Sequence, residues 1–254
     1  MDKITIILPL HTFNDELITK ALNSVPNNKN ISVLIVAPKN ILDEIDILKY
    51  KNINININVL ENKGEIDFCS QVNLGAQKCK TKYFSILEYD DTYTNIWFNN
   101  VEKNIKHIKD VSLFLPISKL TKYDNENVVS LINEIAWSSA FADENGYINT
   151  DCLNSYYDFL VSGGIFNTKD FNELGGFKSS LLIASTYELM LRFAHNSKKI
   201  FVIPKIGYVH TVGSPESYSS IMTNKITQKH GEWLINTAQQ EKFFNEDRHR
   251  IFEE

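Results

Sequence analysis

The feature that most constrains this chain is the alternation of strand-like and helix-like segments through residues 4 to 91. Ile4-Thr5-Ile6-Ile7-Leu8 is a near-continuous apolar run, the pattern of a strand buried on both faces. Residues 14–24 place Leu17, Ile18, Ala21 and Leu22 at helical spacing. Ile31 to Val36 is a second strand-like run, closed by Pro38 and Asn40, and a helical segment follows at 41–49. Residues 53–60 alternate apolar side chains with Asn, as expected of a more exposed strand. Residues 65–80 predict a helix with Ile66, Cys69, Val72, Leu74 and Ala76 inward, and Tyr83 to Leu87 predicts a fourth strand. This order predicts an α/β fold whose mostly parallel, doubly wound sheet has right-handed crossovers.

Such sheets bind ligands in a crevice at the carboxyl ends of their strands. Here those ends carry Pro9-Leu10-His11, Ala37-Pro38, Glu61-Asn62-Lys63-Gly64 and Glu88-Tyr89-Asp90-Asp91. All four are expected to meet at one crevice. Three carboxylates at the end of a buried strand repel one another and need a cation, strong hydrogen bonds or raised pKa values. A divalent cation, Mn²⁺ or Mg²⁺, with a nucleoside diphosphate completing its shell is the natural partner. The alternative is a solvated turn with an Asp capping a helix; the position after the fourth strand favours the ion. Gly64 permits close backbone approach, and Lys63 either faces a phosphate or sits in an ordinary turn. His210, in a loop after the strand-like Ile200 to Ile203, offers an imidazole to a metal. Gly163-Gly164 and Gly175-Gly176 read as tight turns or as places of close packing against a ligand. Trp97, Trp137, Tyr147, Tyr156 and Tyr157 offer faces to a sugar ring or fill the core.

After Asp91 the pattern loosens. Residues 95–108 predict a helix, and Val111 to Leu115 a strand ending at Pro116. Residues 117–160 read as irregular, 185–196 as a helix, and the last forty as polar and helical with a charged end at 246–250. The net charge is −5 with no basic block, which argues against a nucleic-acid-binding surface. Three cysteines without metal-ligand spacing read as reduced thiols of a cytoplasmic protein. The apolar run Ile4 to Leu10 is too short for a signal peptide core or a membrane span, so no transmembrane segment is expected.

Taken together and in order, these pieces resemble family 2 glycosyltransferases of the GT-A fold. Ile-Thr-Ile-Ile-Leu-Pro-Leu-His-Thr resembles that family's first strand and donor-binding turn. Asn62-Lys63-Gly64 with Asn73-Leu74-Gly75 resembles its "NxG…NxG" stretch, and Leu87-Glu88-Tyr89-Asp90-Asp91 its "LDxDD" form of the DxD motif, with Glu for the first Asp. Gly163-Gly164-Ile165-Phe166 and Gly175-Gly176-Phe177 resemble the acceptor-side "SGxxF…xxGGF". Glu188-Leu189-Met190-Leu191-Arg192 resembles the helix of "EDxELxLR", and Tyr208-Val209-His210 with Ser214 the late "YRxHxxS". The stretch from Glu88 to Trp97, with Asn133 to Trp137, is also similar to glycosyltransferase-like proteins of large-genome phages.

The resemblance implies a metal-dependent inverting transfer of a sugar from a nucleotide diphosphate donor. It implies Asp91 and His210 as metal ligands, and Pro9, His11, Asn62, Lys63, Gly64, Asn73, Glu88 and Asp90 as donor-binding residues. Glu134, Trp137, Gly163 and Gly164 would take the acceptor, which is a glycan, a protein hydroxyl or a modified DNA base. The acidic net charge disfavours DNA. It further implies one domain over 1–254: residues 1–115 as nucleotide-sugar-binding half, 116–215 as acceptor half, and 216–254 as a C-terminal helical segment. Two departures stand out. Val36-Ala37-Pro38 lacks the family's uracil-reading Asp, which leaves the donor base open. Ser185-Thr186 replaces the acidic pair that holds the catalytic base, and a hydroxyl is a poor base near neutral pH. Glu188 is the expected replacement, with Glu134 or Asp158 as alternatives; Glu188 equally suits an ion pair with Arg192, four residues on. A second reading is a binding protein that keeps the donor crevice without chemistry. A nucleotidyltransferase is disfavoured, because Pro-Leu-His-Thr-Phe-Asn is not a glycine-rich basic loop. The oligomeric state is left open.

Overall fold

The computed structural model describes residues 3–46, 50, 55–124, 127–215, 217, 220–221 and 226–240. Strand β1 (Ile4–Pro9) leads through helix α1 (Asp15–Asn23) to β2 (Ile31–Ala37), α2 (Lys39–Glu44), β3 (Asn56–Glu61), α3 (Phe68–Lys78) and β4 (Tyr83–Ile86). These strands pair in parallel in the order β3-β2-β1-β4, with Ile4 beside Ile31 and Tyr83. The alternation expected from the sequence is therefore realised. Residues 47–49 and 53–54, at the ends of two expected elements, lie outside the described residues. Helices start where side chains satisfy orphan N–H groups: Asn14 accepts from Leu17 N, and Asp67 from Ser70 N. Ile66 precedes α3 and is exposed, contrary to its expected inward place.

Each face of the sheet carries its own core. One packs Ile4, Ile6, Leu8, Ile18, Leu22, Trp97 and Val101. The other packs Ile7, Val36, Val72, Phe84, Phe166, Phe171, Leu189 and Phe193. The alternate residues of β1 thus face opposite layers, as a doubly wound sheet requires. Gly75 lets α3 approach the sheet closely, since a Cβ there would lie 2.8 Å from the Ile7 side chain.

The second half is more regular than its sequence. A two-residue strand, β5 (Thr92–Tyr93), precedes helix α4 (Trp97–His107). β6 (Val111–Lys122) runs on through Pro116, where a stop was expected, and so crosses the expected boundary at 115. Residues 117–160 hold β7 (Val128–Ile132), β8 (Tyr147–Ile148) and helix α5 (Thr150–Ser155) rather than irregular chain. These elements are short, so periodicity does not mark them. β9 (Ile165–Asn167) lies antiparallel between β4 and β6, followed by α6 (Thr168–Glu173) and α7 (Ser185–His195). β10 (Lys199–Val212) runs parallel to β6, with register shifts between Ile203 and Tyr208 that carry it past Pro204. A last helix spans Gln228–Gln240, and the expected charged end beyond it lies outside the described residues. Among the described residues no helix is long and apolar enough to cross a membrane.

Gly163 shows how tightly the two halves are joined. Its φ is +78°, and a Cβ there would lie 2.5 Å from the Tyr208 ring. Its N–H donates to Ile86 O at 2.8 Å, and its carbonyl accepts from Trp97 Nε1 at 3.0 Å. Gly163→Ala is expected to lower stability by about 3 kcal/mol, from backbone strain plus overpacking. Gly213→Ala, at φ +84° with nothing within 4 Å, is the control and should cost only about 1 kcal/mol. Thermal unfolding of the two variants checks the difference.

Candidate active site

The acidic segment leaves β4 at the crevice because Leu87 N still donates to Ile7 O, at 3.0 Å, and extends the pairing past the strand's last residue. The following residues are then gripped by β10. Asp91 Oδ2 lies 2.7 Å from His210 Nδ1, and Asp91 Oδ1 accepts from Thr211 N at 2.7 Å. Thr211 Oγ1 donates to Asp90 O at 2.8 Å. Glu88 N donates to the Tyr208 hydroxyl at 3.0 Å, and Ser162 Oγ donates to Glu88 Oε1 at 2.6 Å. Strand alternation puts Tyr208 and His210 on one face of β10, toward the acidic segment.

One ligand atom from each of Glu88, Asp91 and His210 lies within 4.8 Å of the others. This set of two carboxylates and an imidazole suits Mn²⁺ or Mg²⁺. Asp90 Oδ2 is buried without a hydrogen-bond partner among the described residues, so the site also holds an unserved carboxyl oxygen. Burial pushes the Asp90 carboxyl up to about 8, with Asp91 and Glu88 adding to the effect. Burial and then Asp91 raise Glu88 as well. Burial opposes a charged His210, but the contact with Asp91 and the charges of Glu88 and Asp90 outweigh it and raise the imidazole to about 10. Neighbouring negative charge contributes to all three shifts, after burial at Asp90 and Glu88, and a cation would relieve that part.

Glu88 stands between two hollows. One, of about 10 Å³, is lined by Pro9, His11, Phe68, Gln71 and Tyr89. The other, of about 160 Å³, is lined by Ser162, Leu182, Ser185, Thr186 and His210 among others. A larger groove of about 730 Å³ runs along α1 and reaches Asp90 and Thr211. The structure thus brings Pro9, His11, Glu88, Asp90, Asp91 and His210 together. Glu88 lies with Asp91 and His210 in the group that could hold a metal, for which the sequence offered Asp91 and His210 alone. Asn62 is buried at the neighbouring strand end and holds its own loop, accepting from Gly64 N at 2.9 Å and donating to Glu65 O at 2.7 Å. Lys63 and Gly64 are exposed at the tip of that loop.

Other expected site residues have structural partners instead. Asn73 bridges α3 to the Gly-Gly-Phe turn, bonding both Phe177 N and Phe177 O at 2.8 Å, so its amide is spent on packing rather than on a donor. Gly163 and Gly164 are buried, and a Cβ on either would collide with Tyr208 or with Val161 O; they serve close packing, not the acceptor. Trp137 donates to Val202 O at 3.0 Å and packs on Phe201, while Glu134 is exposed one turn earlier. Neither lines the hollows beside Glu88. Glu188 is fully buried and forms a two-pronged pair with Arg192, at 2.9 and 2.7 Å. Arg192 in turn donates to the carbonyls of Leu174 and Gly176. Helical spacing of four residues turns Glu188 onto Arg192 and away from any substrate, so the ion-pair reading replaces the catalytic one. Ser162, Tyr208 and Thr211 were missed. Tyr208 stood two residues before His210 and Ser162 at the Ser of the "SGxxF" stretch; Thr211 carried no sequence signal.

The family model described as glycosyltransferase like family 2 matches residues 5–243. The chain belongs to that family. Its fold is that of the GT-A enzymes. Residues 1–349 of S. aureus TarS, in complex with UDP-GlcNAc, superpose with a TM-score of 0.63 at 18% identity over 97% of this chain and 69% of that one. The mannosyltransferase PcManGT of Pyrobaculum calidifontis, in complex with GDP-Man and Mn²⁺, gives 0.63 at 10% identity over 98% and 72%. GalNAc-T7 with UDP, GalNAc and Mn²⁺ gives 0.62 at 12% identity over 93% and 48%. At these identities the likeness is one of fold. None of the curated proteins matches the sequence.

The role of Glu188 separates cleanly in experiment. Glu188→Gln leaves a buried guanidinium without its counter-charge, so stability should fall by about 3 kcal/mol. The transfer rate of the protein that remains folded should stay within about threefold of the parent, whereas loss of a base costs on the order of 10²-fold. Chemical denaturation and single-turnover rates are the two measurements.

Proposed function

We propose that this protein is a metal-dependent, inverting glycosyltransferase that moves a sugar from a nucleoside diphosphate donor to an acceptor hydroxyl. The observation that carries the reading is the Glu88–Asp91–His210 cluster at the mouth of the crevice, with a hollow on either side. Residues 1–115 take the donor: Pro9 and His11 flank its base, and Lys63, on the exposed loop after β3, faces its phosphates. Residues 116–215 complete the acceptor side, and the last helix, Gln228–Gln240, packs against α7. The nucleotide-sugar complexes of TarS and PcManGT support the donor class. The Mn²⁺ in two of the matched structures supports the cofactor.

When bound, a divalent ion supplies Lewis acidity against the charge that builds on the departing diphosphate. This chain's residues prepare that position. Asp91 Oδ2 holds His210 Nδ1 toward the cluster, where a bound ion would replace the proton the two share. Ser162 and Tyr208 fix the side chain and the backbone of Glu88. The acceptor enters the hollow beside Ser185 and Thr186 and meets the anomeric carbon from the side opposite the diphosphate, which inverts the configuration. Glu88 is the one carboxylate among the described residues lining that hollow. The acceptor is a glycan, a protein hydroxyl or a modified base; the net charge of −5 weighs against duplex DNA.

The loss of Glu188 to its ion pair gives a second reading some weight, that of a nucleotide-sugar-binding protein without turnover. One set of assays separates the two. Incubation with a panel of nucleotide sugars and Mn²⁺ should give transfer or slow donor hydrolysis, EDTA should abolish it, and proton NMR should show an inverted anomer. Tight binding without turnover supports the second reading. The cation competes with the protons that Asp90 and His210 hold up to about 8 and about 10, so its affinity should rise with pH up to about 8 and more gently on toward about 10, with proton release in the calorimeter. A flat profile would contradict the assigned site.

A further inference from the structure

α3 carries a buried polar group that the proposed reaction does not use. Gln71 is fully buried, and its Nε2 donates to Ile66 O at 3.1 Å. That bond fixes which end of the amide points where, since only the NH₂ end can donate to a carbonyl. The other end, Oε1, is buried and has no hydrogen-bond partner among the described residues. A buried carbonyl oxygen without a donor is costly, and native folds seldom leave one unserved.

Its position is informative. Gly75 packs on Ile7 and Val36, with a Cβ there 2.8 Å from the first and 3.2 Å from the second. Gln71 lies one turn earlier on the same face of α3, about 6 Å along the helix. α3 returns antiparallel to the strands, so that step leads toward their carboxyl ends by about two strand residues. Gln71 therefore reaches the level of Pro9 and Pro38, at the floor of the crevice. Consistent with this, it shares the hollow of about 10 Å³ with Pro9, His11 and Glu88. That volume admits about one water, or one N–H of a larger group lying above it. The segment Val36-Ala37-Pro38 at the end of β2 offers no side-chain acceptor of its own.

We infer that Gln71 reads the nucleobase of the sugar donor, its Oε1 accepting a hydrogen bond from a ring N–H. The inference rests on the nucleotide-sugar reading of the crevice and adds the class of base. Uracil and guanine present a ring N–H on the pairing edge. Cytosine and adenine present a lone pair at the corresponding ring nitrogen, which would face Oε1 with like charge. The site therefore selects a uridine- or guanosine-type donor and discriminates against the other two.

Calorimetry of UDP, GDP, CDP and ADP with Mn²⁺ tests this. The parent protein should bind UDP or GDP at least about 10-fold more tightly than CDP and ADP. Gln71→Met, similar in shape but without the carbonyl, should bring that ratio close to one while retaining the weaker binding common to all four. An equal loss for all four, with the ratio preserved, would make Gln71 a structural residue and overturn the inference. The parent protein supplies a control that does not depend on the variant folding: blocking the ring N–H, as N3-methyl-UDP or N1-methyl-GDP, should weaken binding by about 10-fold or more. Undiminished binding of the methylated nucleotide overturns the inference while leaving the donor reading intact. Binding of none of the four overturns both.

Discussion

Asp91 joins two parts of the chain more than a hundred residues apart. One oxygen meets His210 Nδ1 and the other takes the N–H of Thr211, each at 2.7 Å. Its side chain is buried, and both oxygens are engaged, so neither is left unserved. The grip sets where the acidic segment leaves β4, where β10 passes it, and which way the imidazole faces. Remove it, and Glu88 loses its neighbour and Asp90 the strand that anchors its carbonyl.

The fold is built to deliver that junction. The parallel half brings β1 to β4 to a common edge, as any doubly wound sheet does. The less expected part is the pair β6 and β10, which run on past their prolines and twist beyond the crevice. Pro116, which has no N–H to donate, sits where the β6–β10 register shifts, and its carbonyl accepts from Asn133 Nδ2 at 2.9 Å. The register shifts before Tyr208 re-aim the strand so that Tyr208 and His210 face the acid cluster. Gly163, backed by Tyr208 and bonded by Trp97, closes the seam between the halves.

The parallel half was legible because strands buried on both faces are nearly continuous apolar runs, and amphipathic helices separate them. The acidic segment and His210 were legible for a different reason: their chemistry is costly to bury without a partner. The second half was obscured by two prolines that ordinarily end strands and by strands as short as β8. Site residues were misassigned where a motif position was filled by a residue with a structural task. Asn73, Gly163 and Gly164 bond or pack against distant segments that their local sequence does not reveal, whereas Glu188 pairs with Arg192 four residues on, a partner its helical spacing did offer. Gln71 went unremarked for the opposite reason, since its interest lies in a partner it lacks.

The central claim is that Asp91 orients His210 to bind a divalent ion beside Glu88. Electron spin-echo spectroscopy of the Mn²⁺-loaded protein tests it directly, since a coordinated imidazole couples its nitrogen to the electron spin. The parent protein should show a single histidine nitrogen coupling that disappears in His210→Gln while Mn²⁺ remains bound more weakly. A Mn²⁺ centre with oxygen ligands only, or a nitrogen coupling that survives His210→Gln, would contradict it.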